Sequence, residues 1–116
     1  MVYRKADQLG WILKAHVGEF SGVESIKEAI NNLNLDVINH GLAAIESKEL
    51  MQYLAKNEIK INICPTSNVL LARVKDYGEH PIKKFIKEGI ICSINTDDLL
   101  IFNQSISEEY LNLYNS

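Results

Sequence analysis

Long apolar runs are missing from this sequence. No stretch approaches the roughly 20 residues a membrane-spanning helix needs, and Met1–Asp7 leads into no apolar segment of the kind that marks a secretory signal. Positive charge is not in excess either: 12 Lys and Arg stand against 15 Asp and Glu, for a net charge of −3, and the basic residues are scattered rather than striped. That leaves no electrostatic footprint for nucleic acid. Cysteine is scarce. Cys64 and Cys92 both sit inside apolar runs, Ile-Asn-Ile-Cys and Ile-Ile-Cys-Ser, and are expected as buried reduced thiols rather than a disulfide. No linker, low-complexity tract or sequence repeat breaks the chain. A soluble, cytoplasmic protein with no membrane or nucleic-acid partner is the expectation.

What is present fits one domain, residues 1–116, with a single core. Apolar residues make up 47% and charged residues 23%, the balance of an ordinary globular protein. Four short apolar runs recur: Trp11–Ala15 ending at His16, Asp36–Asn39 ending at His40, Ile59–Ile63 ending at Cys64–Asn68, and Ile90–Ile94 ending at Asn95–Asp98. Ile- and Val-rich segments of this length suit a buried parallel sheet. Helical patterns lie between them. Ser25-Ile-Lys-Glu28 has the form of a capping box ahead of Ala29, Ile30 and Leu33. Ser47 precedes Leu50, Met51 and Leu54, which share one helix face. Pro81 suits the first turn of Ile82–Glu88, closed by Gly89. Ser107 with Glu108 and Glu109 opens a last helix, and Tyr3–Leu9 before Gly10 looks like the end of an earlier one. His16 to His40 and His40 to Cys64 are equal intervals, the length of one strand-plus-helix unit. The fold class is α/β: four consecutive parallel β-α units.

In parallel α/β folds, functional groups gather at the carboxyl ends of the strands. Those ends carry His16 and Glu19, His40, Cys64–Asn68, and Asp97 with Asp98. Singly, each residue has an ordinary role: a loop histidine bonded to backbone, a helix-cap acid, an Asp-Asp turn. Together they place two imidazoles and three carboxylates on one rim, and histidine and carboxylate are ligand types of catalytic zinc.

Five motifs, in order, resemble the adenosine deaminase family of the metal-dependent amidohydrolase superfamily. They are His16-Val-Gly-Glu19, Asn39-His-Gly41, Cys64-Pro-Thr-Ser-Asn68, His80-Pro81 and Ser93-Ile-Asn-Thr-Asp-Asp98. The resemblance covers nearly the whole chain and implies strands five to eight of a TIM-type (β/α)8 barrel, half of the closed structure. It implies that His16 and Asp97 are zinc ligands, that His40 orients and deprotonates the zinc-bound water, and that Glu19 protonates N1 of a purine. Asp98 is implied to hold N7, and Gly18 to line the substrate. The implied reaction is hydrolytic deamination of adenosine to inosine, with adenine, AMP or another aminated heterocycle as alternative substrates.

The sequence departs from the family at three points. Val17 replaces a small residue, and Leu99 replaces the Pro that usually follows the paired acids. The His-x-His pair that the family's first strand gives to zinc is not in this chain. His80, the only other histidine, is expected at a helix start. With two of four protein ligands, the chain alone is expected to bind zinc weakly or not at all and to be inactive. It is expected to self-associate or to pair with the missing N-terminal half, and a non-catalytic remnant or assembly module is the alternative to an enzyme.

Overall fold

The structure is a computed structural model, and it describes residues 2–116. Its elements are α1 (Val2–Gln8), β1 (Lys14–Val17), α2 (Val23–Leu33), β2 (Val37–His40), a 3-10 turn (Leu42–Glu46), α3 (Lys48–Lys56), β3 (Lys60–Ile63), α4 (Pro65–Leu70), α5 (Ile82–Lys87), β4 (Cys92–Ile94), α6 (Leu99–Phe102) and α7 (Ile106–Tyr114). The four strands form one parallel sheet in the order β1-β2-β3-β4. The expected succession of β-α units is therefore present.

One face of the sheet is apolar because alternate strand residues are. Ile38, Ile61 and Ile63 are fully buried there against Ile26 of α2, Met51 and Leu54 of α3, and Phe85 of α5. Burying side chains of this size removes about 1.5–3 kcal/mol of unfavourable hydration each. The opposite face is polar. His16, Asn39, Asn62 and Ser93 stand in register as one row across all four strands. Asn62 Nδ2 donates to Asn39 Oδ1 at 2.9 Å, and Ser93 Oγ donates to Asn62 Oδ1 at 2.7 Å. The two faces thus divide labour between core and site.

Several boundaries differ from expectation. Trp11 and Ile12 precede β1 and are 65% and 69% exposed, so apolar character there does not mark strand. At α2 the cap is Gly22, without a side-chain bond, and Ser25 lies inside the helix. The nearby hydroxyl that does accept a backbone bond is Ser21, from the Gly18 N–H at 3.1 Å. The last helix starts at Ser105 rather than Ser107. Ser105 Oγ accepts from the Glu108 N–H, and the Glu108 carboxylate accepts from the Ser105 N–H, a complete capping box. Ser47 caps α3 as expected. In the Cys64–Asn68 segment Pro65 begins α4, where proline's fixed φ suits a first helical turn.

Candidate active site

Two backbone positions in the left-handed region shape the site. His40 has φ +69° and Asp97 has φ +59°. A non-glycine residue in that region costs of order 1–3 kcal/mol and persists where its surroundings enforce it. At His40 the effect is directional. Strand alternation would leave its ring on the core side with Ile38, but the left-handed turn ends the strand and brings the ring centroid to 5.1 Å from that of His16 on the polar face. Gly18, φ +75°, makes the matching turn after β1, and its carbonyl accepts from the Ala43 N–H at 2.9 Å.

Four of the expected residues converge. His40 is almost fully buried; its Nδ1 lies 3.4 Å from Glu19 Oε1 and its Nε2 lies 4.0 Å from Asp97 Oδ2. Burial lowers the His40 pKa, and His16 adds to that, while the Glu19 and Asp97 carboxylates oppose it. His16, Asn39, His40, Asn62, Cys64 and Asp97 are among the residues lining a cleft of about 380 Å³, within the size range of small-molecule sites. A second hollow, of about 440 Å³, opens beside Glu19 and is walled by Phe20 and Arg73. Arg73 stacks on the Phe20 ring at 4.9 Å and its Nε donates to the Glu19 carbonyl at 2.9 Å, fixing the loop that carries Glu19.

Asp98 is placed differently from its neighbour. Its Oδ1 accepts from the Leu100 and Ile101 N–H groups and caps α6, so one carboxylate oxygen is committed to structure. Asp97 Oδ2 accepts from Ser67 Oγ at 2.8 Å, which orients it toward His40. Donor atoms of His40, Cys64 and Asp97 all lie within 4.8 Å of one another. His, Cys and Asp are side chains that bind zinc, and Asp97 is the member of this group that the family resemblance makes a ligand. Both cysteines are free. Burial is the main reason the Cys64 thiol is pushed up to about 12 and the partly buried Cys92 thiol to about 11.

Three residues had no individual role in the sequence reading beyond a motif or a helix start. Ser67 orients Asp97. Asn68, fully buried, joins Glu19 and His40 through its Nδ2, at 3.4 and 3.2 Å. His80 is indeed at a helix start, its Nδ1 accepting from the Ile82 N–H, but its Nε2 also reaches Asn68 Oδ1 at 3.2 Å. The motif Cys64–Asn68 was the signal for the first two; nothing local pointed His80 toward the site.

A polar rim at the carboxyl ends of parallel strands, with His16, His40 and Asp97 facing one cleft, stands where α/β folds carry their active sites. The family described as adenosine deaminase matches residues 1–115, and the chain belongs to that family. It is 41% identical over 108 residues to an adenosine deaminase from Klebsiella pneumoniae, covering 93% of this chain and 32% of that protein. It superposes on adenine deaminase from Arthrobacter aurescens with TM-score 0.91 at 28% identity, over 98% of this chain and 35% of the other. A zinc-bound amidohydrolase from Burkholderia ambifaria matches with TM-score 0.83 at 27% identity, over 97% of this chain and 32% of the other. The chain thus spans about a third of the length of these relatives, and its four β-α units correspond to an arc of their TIM-type barrels.

Proposed function

We propose that this chain supplies one side of the active-site mouth of a zinc-dependent deaminase that hydrolyses adenosine to inosine. The observation that carries the reading is the meeting of His16, His40 and Asp97 at one cleft, with Glu19 Oε1 3.4 Å from His40 Nδ1. His16 and Asp97 would hold zinc, the remaining ligands coming from a part of the family this chain does not contain. When bound, zinc supplies an acidified water, with a pKa lowered to about 7. His40 would orient that water. Glu19 would hydrogen-bond a ring nitrogen of a purine, and the Asp98 oxygen not engaged in capping α6 would accept from another part of the base. Free thiols at Cys64 and Cys92 suit a reducing, cytoplasmic setting.

With two zinc ligands, the chain by itself should not turn over adenosine and should not retain stoichiometric zinc after dialysis. Mixing it with the N-terminal portion of a relative should restore both. Conversion of adenosine by the chain alone, at a rate abolished by His40→Ala, would overturn the claim of incompetence. The likeness to an adenine deaminase favours adenine as a second substrate, and a purine panel on the reconstituted protein separates the two.

Strands β1 and β4 each pair on one side only. An unpaired strand edge is a template for another chain. Self-association, or pairing with the rest of the family's barrel, would cover these edges, and Trp11 and Ile12 stand exposed beside β1. Light scattering tests this; a clean monomer at micromolar concentration excludes self-association.

A further inference from the structure

Behind the cleft, a buried hydrogen-bond chain runs from a helix start to the ring of His40. Its direction is set at the far end. The Ile82 backbone N–H donates to His80 Nδ1 at 3.2 Å. A backbone amide can only donate, so His80 Nδ1 accepts and its proton must sit on Nε2. That Nε2–H then donates to Asn68, and the group 3.2 Å away is therefore the Asn68 oxygen. The reverse amide orientation would turn the Asn68 NH2 to His80 Nε2 and ask His80 to accept at both ring nitrogens, which a neutral imidazole, carrying one N–H, cannot do. With its oxygen so committed, Asn68 points its NH2 at Glu19 Oε1 and His40 Nδ1, one proton for each, at 3.4 and 3.2 Å. His40 Nδ1 is thereby an acceptor from the Asn68 amide, the nearer of its two polar neighbours, and Glu19 Oε1, 3.4 Å from the same nitrogen, takes the second Asn68 proton in place of one from His40. Asn68, His80 and His40 are 0%, 3% and 1% exposed, so water does not compete for these bonds.

We propose that His80, acting through Asn68, is a positioning residue that locks His40 in the tautomer with its proton on Nε2, so that His40 faces the cleft as a hydrogen-bond donor. The consequence rests on the deaminase reading: His40 would orient an attacking water by donating to its oxygen, and would not be the first acceptor of that water's proton. The role expected from the family resemblance is revised in that one respect. Burial also keeps His80 neutral, its pKa lowered to about 4, so the lock stays set at physiological pH.

The chain itself, without metal or substrate, suffices for the test. Long-range 1H–15N correlation of the histidine rings at neutral pH should show His40 Nδ1 without a proton and Nε2 with one, in excess of about tenfold, the ratio one ordinary hydrogen bond produces. Asn68→Asp, which can only accept at that place, should move the proton to Nδ1. His80→Leu frees the Asn68 amide to turn over and should leave a mixture of both forms. A wild-type spectrum with the proton on Nδ1 overturns the proposal and needs no variant to fold. So does an unchanged His40 signal in a folded Asn68→Asp or His80→Leu chain, judged by preserved methyl dispersion from Ile38 and Ile61. Because no turnover is measured, failure of the lock and failure of the deaminase reading are separate results.

Discussion

A β-carbon on Gly18 would stand 2.5 Å from Cδ1 of Ile26, the α2 residue buried deepest beneath the β1 turn. Gly18 also has φ +75°, a conformation strained for any side chain, so both space and backbone disfavour one there. Gly18→Ala should destabilise the chain by roughly 2–4 kcal/mol, read as a lower urea midpoint. It should also loosen Glu19. An unchanged midpoint would mean that the Gly18 turn is not held as described.

Acid should weaken the fold through His80. Burial lowers its pKa from 6.5 to about 4, so the unfolded chain takes up a proton that the folded chain refuses. Its contribution to stability is complete above about pH 6.5 and is lost as the pH falls toward 4, to the extent of roughly 3 kcal/mol. His80→Gln should flatten that part of the stability–pH curve. Parallel curves for the two proteins would show that His80 titrates normally.

The two helix starts that differ from expectation can be told apart by alanine. Ser105→Ala removes the hydroxyl half of the capping box, leaving the Ser105 N–H on the Glu108 carboxylate, and should cost about 1 kcal/mol, whereas Ser25→Ala, inside α2 and without a capping bond, should change thermal stability little. Equal losses at both sites would restore the box that sequence suggests at Ser25.

Neither thiol should react readily in the folded chain. With Cys64 pushed up to about 12 and Cys92 to about 11, little thiolate exists at pH 8. Iodoacetamide should modify both at least about tenfold more slowly than in urea. Rapid labelling of Cys64 in the native chain would place it at the surface.

The four β-α units were legible because equal intervals between strand ends and Ile-rich runs are direct images of a parallel sheet. So was the convergence of His16, His40, Glu19 and Asp97, since strand ends of one sheet share one rim. What escaped depends on contacts rather than composition. Trp11 and Ile12 have strand-like character, yet β1 begins at Lys14, where pairing with Val37 begins. Ser25 and Ser105 both precede a Glu by three positions. Only Ser105 caps, because α2 already starts at Val23, two residues ahead of Ser25. Asp98 was legible as a carboxylate beside Asp97, but its capping of α6 needs the backbone in view. The bond from His80 to Asn68 spans 12 positions and leaves no periodic trace.

The row formed by His16, Asn39, Asn62 and Ser93 has a consequence for quality control. Because side chains alternate along a strand, a slip of one position in any pairing would turn that strand's polar member toward the isoleucine layer and an apolar one toward the cleft. A misregistered copy would lose its buried core and its chemical groups in the same error. In this architecture correct folding and a correctly assembled cleft therefore stand or fall together.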